Sequence, residues 1–397
     1  MTEIFTGNFT QQEPIPEEGI EAAVEIMRSG RLHRYNVAEG EAGETALLEK
    51  EFADQLGVKY CLAVASGGYA MGAALRAMRV AQGARVLTNA FTLAPVPGAI
   101  ASVGAVPVFV GVTEQLVIDL DDLAAKADQA DVIMLSHMRG HLCDMDRLME
   151  ICRANNIRVI EDCAHTMGAS WRGIASGLWG DMACYSTQTY KHVNSGEGGF
   201  LTSNDAELMA RATILSGSYM LYGRHLAAPE PEVFEAIKYQ TPNVSGRMDH
   251  LRAAILRPQL RNLQAQCDAW NLRYRTVDDG LAGTPGLTRI ERPEDEFYVG
   301  SSIQFLLLDW AEEKIHEVIS RCGKRGVELK WFCGKEPVAF TSRYDSWRYA
   351  PSEPMPKSDR VLAGVIDMRI PLTFTVEDCA LIARIIKAEV GAVYQAA

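Results

Sequence analysis

Gly180-Asp181-Met182-Ala183-Cys184-Tyr185-Ser186-Thr187-Gln188-Thr189-Tyr190-Lys191, continued by His192-Val193-Asn194-Ser195-Gly196-Glu197-Gly198-Gly199, is the stretch on which the fold turns. It sets a lysine on the connection between two short apolar runs, 183–187 and 199–203, each expected to be a strand. Ser186 stands five residues before the lysine, and glycines follow it. A lysine that captures an aldehyde must present its amine partly unprotonated. A nearby serine hydroxyl suits a phosphate, and glycines let the backbone turn tightly and approach a ligand.

A second segment bears on the same chemistry. Arg158-Val159-Ile160 reads as a short buried strand and runs into Glu161-Asp162-Cys163-Ala164-His165. An Asp just beyond a parallel strand lies at the carboxyl edge of the sheet, where open α/β folds bind ligands. A carboxylate there can keep a pyridine nitrogen protonated, the condition under which pyridoxal phosphate acts as an electron sink. A third segment, Ala63-Val64-Ala65-Ser66-Gly67-Gly68-Tyr69-Ala70-Met71, reads as strand, small-residue turn and helix start. Free N–H groups at a helix start bind phosphate.

These three segments, in this order, resemble the DegT/StrS-type aminotransferases, a fold-type I pyridoxal-phosphate family. Further stretches carry the likeness through most of the chain: Ala90-Phe91-Thr92-Leu93, His137-Met138-Arg139-Gly140 with Asp144-Met145-Asp146, and Gly246-Arg247-Met248 with Ala253-Ala254-Ile255. The resemblance implies an aspartate-aminotransferase-like α/β fold. Residues 1–264 would form a large domain with an N-terminal arm and a mostly parallel central sheet, and 265–397 a smaller α+β domain. It implies a pyridoxal 5′-phosphate cofactor bound as a Schiff base at Lys191. Asp162 would face the ring nitrogen and His165 the phenolic oxygen. Gly67, Gly68, Tyr69 and Ser186 would hold the phosphate. It further implies an amino-acid donor, a keto or aldehyde acceptor, and a homodimer with shared sites.

Several positions depart from the family pattern. Leu93 stands where an aromatic ring usually stacks on the pyridine, with Phe91 as the other ring at hand. Gly68 stands for a threonine beside the phosphate. Ser245 aligns with an asparagine that reaches the partner subunit's phosphate, and Asn243 offers that chemistry two residues early. Tyr298-Val299-Gly300-Ser301-Ser302-Ile303 replaces the histidine-bearing segment of sugar-processing relatives.

Length, charge and cysteines agree with this class. At 397 residues the chain exceeds one typical core, so two domains are expected. A net charge of −12 argues against a nucleic-acid surface. The nine cysteines are odd in number and unpatterned, as in a cytoplasmic protein with reduced thiols. Residues 1–18 lack a signal peptide's basic start and apolar core. No apolar run reaches the roughly 18 residues of a membrane span.

Between about residues 57 and 205, short strands (60–65, 85–88, 106–110, 132–136, 158–160) alternate with amphipathic helices. In one, Met145, Leu148, Met149 and Cys152 share a face. The alternation predicts a parallel sheet covered on both sides. Beyond it, 249–263, 312–326 and 376–390 read as helices and 298–308 as a strand.

His137, His141 and Cys143 suggest a metal set, but Gly140 breaks the helix that would align them, so no metal is expected. Ser66-Gly67-Gly68 matches neither nucleotide-loop pattern. A pyridoxamine-dependent sugar dehydratase would carry histidine in place of Lys191. A non-catalytic sensor would have no need of Lys191, Asp162 and His165 together. Substrate-reading side chains are expected on loops 28–41, 218–232 and 330–348. There Arg31, His33, Arg34 and Tyr35 form either a receptor for an anionic substrate or a solvated turn, and the acceptor is left as a sugar or a small anionic compound.

Overall fold

A computed structural model describes residues 3–339 and 341–395. Its centre is a seven-stranded sheet. From edge to edge the order is Tyr60–Val64, Gly199–Ser203, Met182–Ser186, Arg158–Asp162, Val132–Ser136, Arg85–Asn89 and Val106–Val110. Only Gly199–Ser203 runs against the rest; the other six strands are mutually parallel. The alternating side chains explain why these short runs are apolar throughout. Val159 joins the core on one face and Ile160 the core on the other, and Ala63 and Val64 divide the same way. With both faces covered by helices, the strand positions beyond the opening residue are mostly interior.

Several helix starts use a side chain the sequence supplies. Asp144 caps Met145–Ala154, Asp205 caps Ala206–Leu215 and Asp249 caps His250–Arg261 by accepting backbone N–H groups. Helix Gly67–Ala77 begins at Ser66, whose hydroxyl accepts the N–H of Tyr69 at 3.0 Å.

A second core lies in the C-terminal part. The strands Thr288–Arg289, Ser302–Leu306, Val365–Arg369 and Lys330–Trp331 form an antiparallel sheet in that order. Helices Leu263–Leu281, Glu312–Lys324 and Val376–Gln395 cover it. The strand expected over 298–308 is shorter than its apolar run. Gly300 is pressed against the Tyr274 side chain, where an added Cβ would lie 2.4 Å from Tyr274 Cβ and 2.7 Å from the first ring carbon, and its N–H is held by Asn271 Oδ1 at 2.8 Å. Pairing therefore starts only at Ser302. The N-terminal arm belongs to this core too: Phe5, Phe9 and Phe374 meet edge to face with centroids 4.8 to 5.6 Å apart.

Candidate functional site

The parallel strands end together, and their last residues build the site. Asp162 closes one strand and Ser136 its neighbour; the two are register partners. Ser136 Oγ donates to Asp162 Oδ2 at 3.1 Å and accepts from Thr92 Oγ1 at 2.9 Å. The Ala164 N–H donates to Asp162 Oδ1 at 3.1 Å. The carboxylate is thus fixed in direction, with lone pairs to spare. Burial, the largest cause, raises its pKa above the usual 3.8, opposed by the Ala164 N–H, the Lys191 charge and the Ser136 hydroxyl.

Lys191 sits half-buried, its Nζ 2.8 Å from His165 Nε2. Burial and the positive charge of Arg139 and Arg369 push the amine down to about 7, while Asp162 pulls the other way. Burial, with the Lys191 charge next, holds His165 well below its ordinary value, so its ring is neutral and offers one donor and one acceptor nitrogen. A lysine that is partly unprotonated near neutral pH, beside a neutral imidazole, suits attack on an aldehyde.

The glycines expected to cradle a phosphate lie where three segments approach closely. A Cβ on Gly67 would lie 3.1 Å from Ser186 Cβ, and one on Gly199 2.5 Å from the Tyr185 carbonyl and 2.7 Å from the Gly67 nitrogen. A Cβ on Gly68 would meet nothing nearer than Ser66 Oγ at 3.9 Å, so open space stands over this first helical turn. N–H groups of a first turn have no intrahelical acceptor. Ser186 accepts the Gln188 N–H at 3.3 Å and keeps its own proton to donate. A planar aldehyde bearing a phosphate and a basic ring nitrogen, as in pyridoxal phosphate, fits the chemistry of this donor set.

Several expectations are corrected. The Tyr69 N–H does not face the cradle but is committed to Ser66, and its hydroxyl donates to the Leu215 carbonyl at 3.0 Å. Phe91 does not move in to replace a stacking ring. It is fully buried, edge-on to Phe332, while half-buried Leu93 packs at the margin of the same cluster. The segment from Asn243 to Arg247 does have partners in its own chain. Val244 N–H bonds the Leu215 carbonyl, and the Gly246 carbonyl accepts from Ala65, both at 2.8 Å. The Asn243 and Ser245 side chains remain at the surface.

The Arg31-to-Tyr35 cluster is not an open anion receptor. Arg34 is buried in a two-pronged pair with Glu49 at 2.8 and 2.9 Å, and Tyr35 is bonded to His225. Of the histidines weighed as metal ligands, His141 bonds Gln304 at 2.8 Å. His137 bonds Glu161, whose two oxygens together receive four donors: His137 Nε2 and the N–H groups of Gly177, Trp179 and Gly180, all within 3.0 Å. Glu161, His137 and Cys163 lie close enough to hold a metal, yet this carboxylate is saturated as a tie for the Gly177-to-Gly180 turn.

The sequence reading missed the cations beside the lysine. Arg139 and Arg369 line the pocket containing Lys191, His165 and Tyr190, together with Gln12 of the N-terminal arm. The available signals were slight: a charge inside the His137-to-Gly140 motif, and another directly before Ile370-Pro371.

Residues 14–387 match the DegT/DnrJ/EryC1/StrS aminotransferase family. Over 308 residues the chain is 30% identical to a GDP-perosamine synthase of Caulobacter vibrioides, covering 76% of this chain and 67% of that protein. It is also 30% identical to an L-glutamine:2-deoxy-scyllo-inosose aminotransferase of Streptomyces lividus, covering 71% and 66%. The chain spans between 40% and 67% of the length of these and a further matching protein of Micromonospora echinospora. In structure, 3-amino-5-hydroxybenzoic acid synthase superposes with a TM-score of 0.83 over 99% of this chain and all of the other, at 24% identity.

Proposed function

This chain belongs to the DegT/DnrJ/EryC1/StrS aminotransferase family, and on that premise we propose that it is a pyridoxal-phosphate-dependent aminotransferase moving an amino group from an amino acid to a keto or aldehyde acceptor. The observation that carries this reading is the Lys191 amine, depressed to about 7 and 2.8 Å from His165. Glutamine, named as donor for one relative, is the first donor to try. A sugar or cyclitol ketone is the acceptor its relatives suggest.

When bound, pyridoxal phosphate supplies an aldehyde for the amine and a ring that draws electrons from the substrate carbon. Lys191 would take a proton at Nζ from that carbon and pass it to the carbon that carried the cofactor's aldehyde, a task matched to a pKa near neutrality. His165 steadies Nζ and bonds the cofactor's phenolic oxygen. Asp162 keeps the ring nitrogen protonated, held to that task by Ser136 and Thr92. Ser186 and the amides of Gly67 and Gly68 would bind the phosphate, and half-buried Leu93 would offer the ring an apolar contact.

The working unit is a homodimer whose neighbouring chain lends Asn243 and Ser245 to the site. Support comes from exposed apolar side chains around that segment. Val244, Tyr219 and Met220 are 47%, 61% and 57% exposed, with Arg247 over the Tyr219 ring. The boundary near 264 divides the two domains. The protein works in the cytoplasm, a reading supported by nine free cysteines, eight of them buried. Among the described residues no helix is long and apolar enough to cross a membrane.

The experiment is spectroscopic. Glutamine added to the holoenzyme should bleach the cofactor's visible band, and a keto sugar should restore it. A band unchanged by a panel of amino acids would overturn the reading.

A further inference from the structure

Two consecutive serines, Ser301 and Ser302, stand in the wall of the Lys191 pocket, inside the Tyr298-to-Ile303 segment that departs from the family pattern. Their backbone is held still. The Gly300 N–H donates to Asn271 Oδ1 at 2.8 Å, and the Ser301 carbonyl accepts the Ile370 N–H at 2.9 Å. Ser302 is the register partner of Arg369, so the two side chains share a face of the sheet, and both residues line the pocket. A serine hydroxyl can donate or accept. Here the neighbouring groups decide which.

The direction at Ser301 is set by His192. That ring is buried against Trp270, another residue of the pocket wall, with centroids 5.2 Å apart. Its Nδ1 lies 2.9 Å from the Met167 carbonyl, which can only accept, so Nδ1 carries a proton. Burial, opposed by that carbonyl, pushes the His192 pKa down to about 4, so the ring is neutral and its Nε2 is bare. Ser301 Oγ, 3.1 Å from Nε2, therefore donates to it. With its one proton committed, Ser301 offers the pocket lone pairs only.

The direction at Ser302 is the reverse. Gln304 Nε2 donates to the Asp367 carboxylate at 2.7 Å, which fixes the orientation of the amide, and its Oε1 meets His141 Nε2 at 2.8 Å. The same Gln304 nitrogen donates to Ser302 Oγ at 2.9 Å. Ser302 thus accepts from behind and keeps its own proton to donate. The wall carries one acceptor and one donor on adjacent residues. The cavity has a volume of about 30 Å³, close to one water molecule's share of the liquid. A small group that donates and accepts through a single atom answers both serines, and that group is a hydroxyl.

We propose that Ser301 and Ser302 are specificity-determining residues that read one hydroxyl of the amino acceptor, Ser301 accepting a hydrogen bond from it and Ser302 donating one to it. His192 and Gln304 are the positioning residues that set those two directions. The inference rests on the aminotransferase reading and narrows its acceptor to a hydroxylated ketone or aldehyde. An acceptor without the hydroxyl leaves both serines unpaired, which is the costly way to lose a hydrogen bond.

The test uses the holoenzyme, converted to its amine form by glutamine and read by return of the visible band. Cyclohexanone is compared with 2-, 3- and 4-hydroxycyclohexanone and with the corresponding methoxy ketones, which accept but cannot donate. At least one hydroxyketone should show a kcat/KM about tenfold or more above both cyclohexanone and its own methyl ether. Ser301→Ala should cut the hydroxyl-over-methoxy ratio by about fivefold or more, and Ser301→Thr, which keeps the hydroxyl, should restore most of it. Ser302→Ala should cut the hydroxyketone-over-cyclohexanone ratio by a similar factor. His192→Phe keeps Ser301 but frees its proton, so the hydroxyl-over-methoxy ratio should fall there too. Independently of turnover, nitrogen-15 resonances should show His192 with Nδ1 protonated and Nε2 bare at neutral pH. No favoured hydroxyketone, ratios untouched by both Ala variants, or a proton on Nε2 would overturn the proposal. So would a loss in Ser301→Ala confined to bleaching by glutamine as against alanine, since the pair would then read the donor's carboxamide. If no amino donor bleaches the band, the aminotransferase reading falls. A hydroxyketone that still shifts the His192 Nε2 signal, and fails to in Ser301→Ala, would then leave the hydroxyl subsite standing, whereas no shift would sink both.

Discussion

At the scale of the residue, the amine of Lys191 carries the sharpest prediction. Its pKa is lowered to about 7 from an ordinary 10.5, so it loses its proton as pH rises through 7 rather than through ten. Capture of pyridoxal phosphate by the cofactor-free protein should therefore speed up from pH 5 to 7 and level off above. The borohydride-reduced link should map to Lys191 and vanish in Lys191→Ala. A rate still climbing at pH 9 would mean that the amine is not desolvated. Asp162→Asn should keep cofactor bound but turn over at least a hundredfold more slowly, about 2.7 kcal/mol of barrier, because a neutral amide cannot hold a ring nitrogen protonated. Near-normal turnover would remove Asp162 from that role. Both residues were legible in the sequence because each sits in a local motif beside its own strand. Arg369 was not: it reaches the pocket from the strand Val365–Arg369 of the C-terminal antiparallel sheet, and nothing in a local window reveals that approach. The Tyr69 amide was misjudged for the opposite reason. Its partner, Ser66, is only three residues away, and a helix cap and a phosphate site share one sequence pattern.

At the scale of the element, strand positions were read well and strand ends less so. The strands Val106–Val110, Val132–Ser136 and Gly199–Ser203 fall where the apolar runs lie, since two buried faces leave no polar alternation to blur them. Arg158–Asp162 runs two residues past its apolar core because its last two side chains are buried carboxylates with designated partners. Of these, Glu161 ties the strand to the turn that leads into the lysine segment, through three backbone amides and His137. Glu161→Ala should strand those donors and lower stability by about 3–5 kcal/mol, measured by urea unfolding. A loss under about 1 kcal/mol, within the range of a single modest hydrogen bond, would show the turn to be held otherwise.

At the scale of the molecule, the homodimer is tested by mixing. Lys191→Ala and a double Asn243→Ala, Ser245→Ala variant should each be inactive. If sites are shared, subunit exchange places both lesions in one site and leaves the other whole, so activity should partly return. No recovery after demonstrated exchange would confine those residues to their own chain. Two-fold dimers are the commonest soluble assembly, yet the sequence alone could not reveal that the Asn243-to-Arg247 backbone is also anchored within its own chain. The arm has a consequence of another kind. Phe5 and Phe9 dock beside Phe374, the Phe5 N–H binds the Arg325 carbonyl, and Gln12 reaches the pocket wall. A ribosome releases this arm more than three hundred residues before its berth exists. The arm thus waits for its berth, and the pocket stays unfinished, with one wall missing, until the strand-and-helix core around Phe374 has been made.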